Sequence, residues 1–179
     1  IIIERCWYFI SIKKRDSKLV YDLRNSLDAG NFDACSVACV EAGTPMARVI
    51  KKAVDCRRWN ENDLREAVEA EMELAVPELE HLLTPLGTIA NISTLLGLLG
   101  TVTGNMKAFG VLAGGASMGD PALLAGSIAE ALVTTVGGLC VSIPSLVFHN
   151  YFVSRVNRRI AEMEAHVTEV LLRLTGRVR

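Results

Sequence analysis

Residues 127–139 read SIAEALVTTVGGL and set one carboxylate, Glu130, among small and hydroxylated residues. They lie inside an apolar run from Pro121 to about Phe148. Such a run can cross a bilayer, which takes about 20 mostly apolar residues. A charged side chain at bilayer depth costs about 2.5–3.5 kcal/mol on insertion scales. Intramembrane carboxylates therefore face protein or water, and they mark ion or substrate pathways. Thr134 and Thr135 follow one helical turn later, and each hydroxyl can both donate and accept. This is chemistry for moving protons, not for making covalent bonds. No nucleophile triad is legible, since His81, His149 and His166 stand far apart. The glycine-rich GGASMGDP lacks the Gly-Lys-Ser/Thr ending of a phosphate loop, and no strand precedes it. Cys35 and Cys39 share a helix face and could grip a metal, but no His/Cys company stands near. With Cys6, Cys56 and Cys140 they make an odd set without secreted-framework spacing, read as reduced thiols. No cofactor is expected, and the chain is not read as an enzyme.

The helix that carries Glu130 divides sharply at about 100° per residue. One half holds Gly126, Ser127, Glu130, Ala131, Thr134, Thr135, Gly137, Gly138, Val141, Ser142, Pro144 and Ser145. The other half holds Leu132, Val133, Val136, Leu139, Ile143 and further bulky residues. The preceding apolar segment repeats the division. Ala90, Ser93, Thr94, Gly97, Gly100, Thr101, Gly104 and Ala108 take one side against a leucine-rich remainder. Lys107 falls near the far end, where it can snorkel to the interface. Small polar faces with a buried acid point either to a pore or docking groove, or to tight small-residue packing with Glu130 satisfied by backbone or threonine.

Elements to position those faces follow from the rest of the chain. Half of the 179 residues are hydrophobic and the net charge is −1, which gives no footing for nucleic acid. No alternating strand pattern occurs, so the fold class is all-α. Residues 1–12, with Trp7-Tyr8-Phe9 as an aromatic belt, read as the end of a first transmembrane helix only partly present here. Residues 13–84 read as a cytoplasmic helical domain. Gly30-Asn31 ends its first helix, and a second stops near Gly43-Thr44-Pro45. A third runs from Met46 to about Arg57, and Asn60 caps a Glu-rich fourth that Pro77 kinks. Segments 85–113 and 122–149 read as transmembrane helices joined antiparallel by a turn at 114–121. A C-terminal helix over 150–179 extends the last span into the cytoplasm. Lys13-Lys14-Arg15 and Arg155, Arg158, Arg159 flank the spans while the turn has no Lys or Arg, so the turn faces away from the cytoplasm.

LLGLLGTVTGNMKAF followed by GSIAEALVTTVGGLCVSIPSLVFHNYF resembles the ExbB/TolQ proton-channel proteins, with the flagellar stator subunit MotA as a more distant relative. The matching marks are Gly100-Thr101-Val102-Thr103-Gly104, Gly126 to Leu139, and Ile143-Pro144. Ser127 is inserted between the Gly and Ile of the family pattern. The match covers about residues 84–155; the 13–82 region agrees in position and helical character, not in motif. The resemblance implies a polytopic bacterial inner-membrane subunit, five copies of which form a ring. A single-span ExbD- or TolR-like partner carrying a membrane Asp would sit inside it, and a TonB- or TolA-like protein would take up the work. It implies a proton path through Glu130, Thr101 and Thr135; Thr134 is added from the helical wheel alone. Glu130 could hold water, shape the local field or hand on protons. A MotA-like stator and a non-conducting membrane scaffold are the alternative readings.

Overall fold

The computed structural model describes residues 1–113 and 121–175 of the chain. Among them are six α-helices and no strand. The expected turn at 114–121 lies, but for Pro121, outside the described residues.

Local chemistry accounts for most of the helix ends. Helix α1 (Ile2–Asp28) crosses the expected boundary at residue 12 unbroken, since no Gly or Pro stands there. It stops before Gly30, which takes a left-handed φ of 66°. Asn31 does not merely end that helix. Its side chain accepts from Ala34 N at 3.1 Å and caps α2 (Phe32–Ala42). Gly43, left-handed at φ 57°, ends α2. Thr44 then caps α3 (Pro45–Asp55), accepting from Ala47 N at 3.2 Å, with Pro45 in the first turn where its missing N–H costs nothing. Asn60 accepts from Asp63 N at 2.8 Å and starts α4 (Glu61–Glu80), which runs through Pro77. Leu82 at φ 65° separates α4 from α5 (Leu83–Ala113). Helix α6 (Pro121–Leu174) continues without a break for 54 residues, so the C-terminal segment does extend the last apolar helix.

The chain divides into two compact units. One comprises residues 1–82 and the part of α6 from Phe152 onward. Its core is built by Leu19 and Leu23 of α1, Cys35 and Cys39 of α2, Val49, Ile50 and Ala53 of α3, Leu64 and Val68 of α4, and Met163 and Val167 of α6. Phe9 stacks on Phe152 with ring centroids 5.9 Å apart. Ile3, Trp7 and Ile10 on the other side of α1 are exposed. Cys35 and Cys39 are core residues here. Burial, with smaller contributions from Cys35 and Asp55, pushes the Cys39 thiol up to about 12, so it stays protonated and inert.

This unit also contains a buried acid. Asp16 lines a cavity of about 360 Å³ with Ile12, Met46, Leu79, Arg159 and His166. Its Oδ1 is buried without a hydrogen-bond partner, and its Oδ2 lies 3.8 Å from Arg159 Nη1. Burial pushes the Asp16 carboxyl up, with Glu162 adding to it, against the opposing pull of the Thr44 hydroxyl, Arg159 and His166. The folded state thus holds this proton more tightly than the unfolded chain does. Its stabilising effect is full below the ordinary carboxylate value of 3.8 and is lost as pH rises through the raised folded value. Asp16→Asn is expected to flatten the fall of the thermal midpoint with rising pH, and to melt above the wild type at neutral pH. Thermal scans of the detergent-solubilised protein from about pH 4 to about pH 8 check this.

The second unit is α5 with the part of α6 up to Tyr151. The two helices pack antiparallel: Leu83 meets His149, Gly97 meets Gly138, and Lys107 meets Glu130. Both belong to stretches with apolar windows long enough to cross a membrane, of which only 22% and 17% is buried inside the chain. So little burial is unlike the core helices of a soluble domain.

Candidate functional site along the two apolar helices

Small residues are what let α5 and α6 touch. A Cβ placed on Gly138 would lie 2.6 Å from the Ser93 carbonyl oxygen and 2.9 Å from Gly97 Cα. One placed on Gly104 would lie 2.4 Å from Ala131 Cβ, and one on Gly100 would lie 2.0 Å from the Thr134 hydroxyl. The backbones are in contact along this seam, the usual way helices associate where lipid removes the hydrophobic drive. The bulky faces point outward: Leu95, Leu96, Leu99 and Val102 on α5, and Leu132, Val136 and Ile143 on α6, are all exposed.

Hydroxyls are threaded through the seam. Thr101 and Thr135 share a short hydrogen bond, and Thr135 Oγ1 also reaches the Gly97 carbonyl at 3.0 Å. Two turns away Thr94 donates to Ser142 at 2.6 Å. At the far end His149 Nδ1 lies 3.0 Å from the Leu83 carbonyl, over Gly87, where a Cβ would come within 3.0 Å of the ring. Of the four site residues read from the sequence, Thr101 and Thr135 are thus in direct contact. Thr134 fills the space above Gly100 and turns its hydroxyl to the Ala131 carbonyl at 2.7 Å.

Glu130 is placed otherwise than as the acid of a closed packing contact. It lies beside the seam, with its side chain 61% exposed in the single chain, and its partner is neither backbone nor threonine. Lys107 Nζ stands 3.0 Å from Oε1 and 3.1 Å from Oε2. Reading Lys107 only as an interface residue missed this pair. The signal was available: Lys107 lies two turns past Gly100, on the small face, and antiparallel packing through Gly104 and Ala131 brings it to Glu130. Glu130, Thr134, Gly137, Val141 and Pro144 form a flank along α6 that the chain's own α5 leaves largely uncovered.

A sequence profile of the MotA/TolQ/ExbB proton channel family matches residues 41–165. The chain belongs to that family. An ExbB-like biopolymer transport protein of Synechocystis is 32% identical over 173 residues, covering 96% of this chain and 82% of that protein. The Tol-Pal system protein TolQ of Haemophilus influenzae is 38% identical over 91 residues, which is 51% of this chain and 40% of the TolQ chain. The ExbB protein of Aquifex aeolicus is 33% identical over 88 residues, covering 49% of this chain and 59% of its own length. The family match extends well beyond the two apolar helices, back to residue 41 in α2. With the two long apolar helices it makes the chain a membrane protein. The Gly100-Thr101-Val102-Thr103-Gly104 motif now has a physical account. Its glycines admit Thr134 and Ala131, and its first threonine bonds Thr135.

The seam predicts a contrast between neighbouring glycines. Gly138→Ala is expected to destabilise the solubilised protein by about 1–3 kcal/mol, because backbone cannot yield to the new methyl. Gly137→Ala, with nothing within 4 Å, is expected to be neutral or to stabilise by about 0.5–1 kcal/mol through helix propensity. Melting of the two variants side by side checks this.

Proposed function

We propose that the chain is the ring-forming subunit of an ExbB/TolQ-type motor in the bacterial inner membrane, crossing it more than once. Five copies surround the single membrane helix of an ExbD- or TolR-like partner, whose aspartate binds and releases the proton. The observation that carries this reading is the uncovered flank of α6. There an acid, a threonine and a glycine stand in line beside the threonine pair, in a member of a proton channel family. Such a flank is costly against lipid and favourable against a partner helix or water. One charge crossing about 100 mV releases about 2.3 kcal/mol, enough to do work on a partner in steps. The work would energise either a TonB-dependent outer-membrane transporter or the Tol-Pal envelope system. The relatives include both ExbB and TolQ proteins, and the neighbouring genes decide between them.

The tight seam constrains the route. With Gly97 and Gly138 in backbone contact there is no room for a water molecule between α5 and α6 at that level. Protons therefore pass along the Glu130–Thr134 flank, towards the ring interior, and the Thr101–Thr135 pair borders the route from within the seam. The same contact favours a second reading, in which the small faces serve packing alone and the chain is a scaffold.

Variants separate the two. Glu130→Ala is expected to lower partner-dependent proton flux by about a hundredfold, and Thr101→Val by several-fold, while the complex still assembles. Flux is measured in liposomes under a pH gradient and potential, with assembly followed by size-exclusion chromatography. Wild-type flux in both variants would leave only the scaffold.

A further inference from the structure

Segments 85–113 and 122–149 carry one formal charge each, Lys107 and Glu130. They are opposite in sign, 23 residues apart in sequence, and brought together by two contacts of 3.0 and 3.1 Å. An ammonium this close to both carboxylate oxygens makes a charge-assisted contact that holds the carboxylate where it stands. The nearby hydroxyls do not compete for it. Thr134 is turned to the Ala131 carbonyl, Ser127 to the Leu123 carbonyl at 3.1 Å, and Thr103 to the Gly100 carbonyl at 3.0 Å.

We propose that Lys107 is the positioning residue of Glu130: it holds the carboxylate in place beside the Gly104–Ala131 level of the seam, and Glu130 exchanges a proton only when that contact opens. The proposal rests on the reading of Glu130 as part of the proton route. Removing either partner alone leaves the other charge without its partner at that level of the two helices. The pair therefore links protonation to movement. A proton that neutralises Glu130 releases the Lys107 ammonium, and the ammonium must find another anion before Glu130 can settle as an acid. In an ion-driven ring the natural candidate is a carboxylate carried on the partner helix, so that Lys107 passes between an acid of its own chain and one of the partner.

Two measurements test this on the complex purified from its native membrane. The first is infrared difference spectroscopy against Glu130→Gln, which isolates the Glu130 carboxylate band. Lys107→Gln is expected to move that band and Lys107→Arg to keep it near its wild-type position. The second is proton flux in liposomes. Lys107→Gln is expected to lower it by about tenfold. Lys107→Arg should hold at least half of it, and the exchange Lys107→Glu with Glu130→Lys should recover more than either change alone. An unmoved band in Lys107→Gln overturns the proposal, whatever the flux. A moved band with wild-type flux in Glu130→Gln keeps the pairing and overturns the proton-route reading instead.

Discussion

Backbone against backbone, Gly97 on Gly138, is the contact on which the membrane half of this chain turns. Dispersion between close-packed atoms is weak per pair and large in sum, and it falls away over fractions of an ångström. A methyl group on Gly138 would open the helices. The Thr101–Thr135 and Thr94–Ser142 hydrogen bonds form because the glycines set the spacing. The Lys107–Glu130 pair depends on the same spacing, since both side chains reach across the end of the seam. The missing side chains of Gly97, Gly100, Gly104 and Gly138 are what let polar groups meet where lipid offers them nothing.

A division of labour among small residues follows. Ala131, Thr135, Gly138, Ser142 and Ser145 of α6 face α5 and are consumed by packing. The residue before each of the first three, Glu130, Thr134 and Gly137, belongs to the flank that packing leaves over. Two adjacent stripes of one helix thus serve different ends, the inner one cohesion and the outer one contact with whatever lies beyond the chain. The unit built on residues 1–82 and the end of α6 does the opposite. Its acids and bases mostly pair on the surface, as Arg48 with Glu78 and Arg158 with Glu162 do, while Asp16 is kept in the interior with an oxygen unpartnered.

Much of the fold was legible because its punctuation is local. Asn60 announces a helix start, Gly30 and Gly43 announce ends, and the absence of any alternating run excludes a sheet; Asn31 and Thr44, read with the ends, also cap the helices that follow. The two-sided wheel left the small faces two uses, a pore or docking groove and close packing, and between α5 and α6 they pack. What escaped were the pairings that need register. Lys107 and Glu130 lie on separate helices, and no single-helix pattern aligns them. Asp16 and Arg159 come from opposite ends of the chain and meet only through tertiary packing. Thr134 could be placed on the small side, but whether it faced α5 or the uncovered flank required the angle at which the helices meet.

The antiparallel seam behaves as a pair of sliding scales: contact positions climb one helix as they descend the other, from Leu83 with His149 to Lys107 with Glu130. Gaining or losing one residue within either helix would shift every level beyond it by about 1.5 Å and turn it by about 100°. Glycine would then face leucine, and the ion pair would miss. Length variation in the facing stretches of α5 and α6 is therefore closed to this lineage except in whole repeats of the seam, or in matched changes on both helices. Insertions and deletions can accumulate only outside the stretch between the His149 and Glu130 levels. Substitution remains open on the exposed bulky sides, so relatives should diverge in residue type there long before they diverge in helix length.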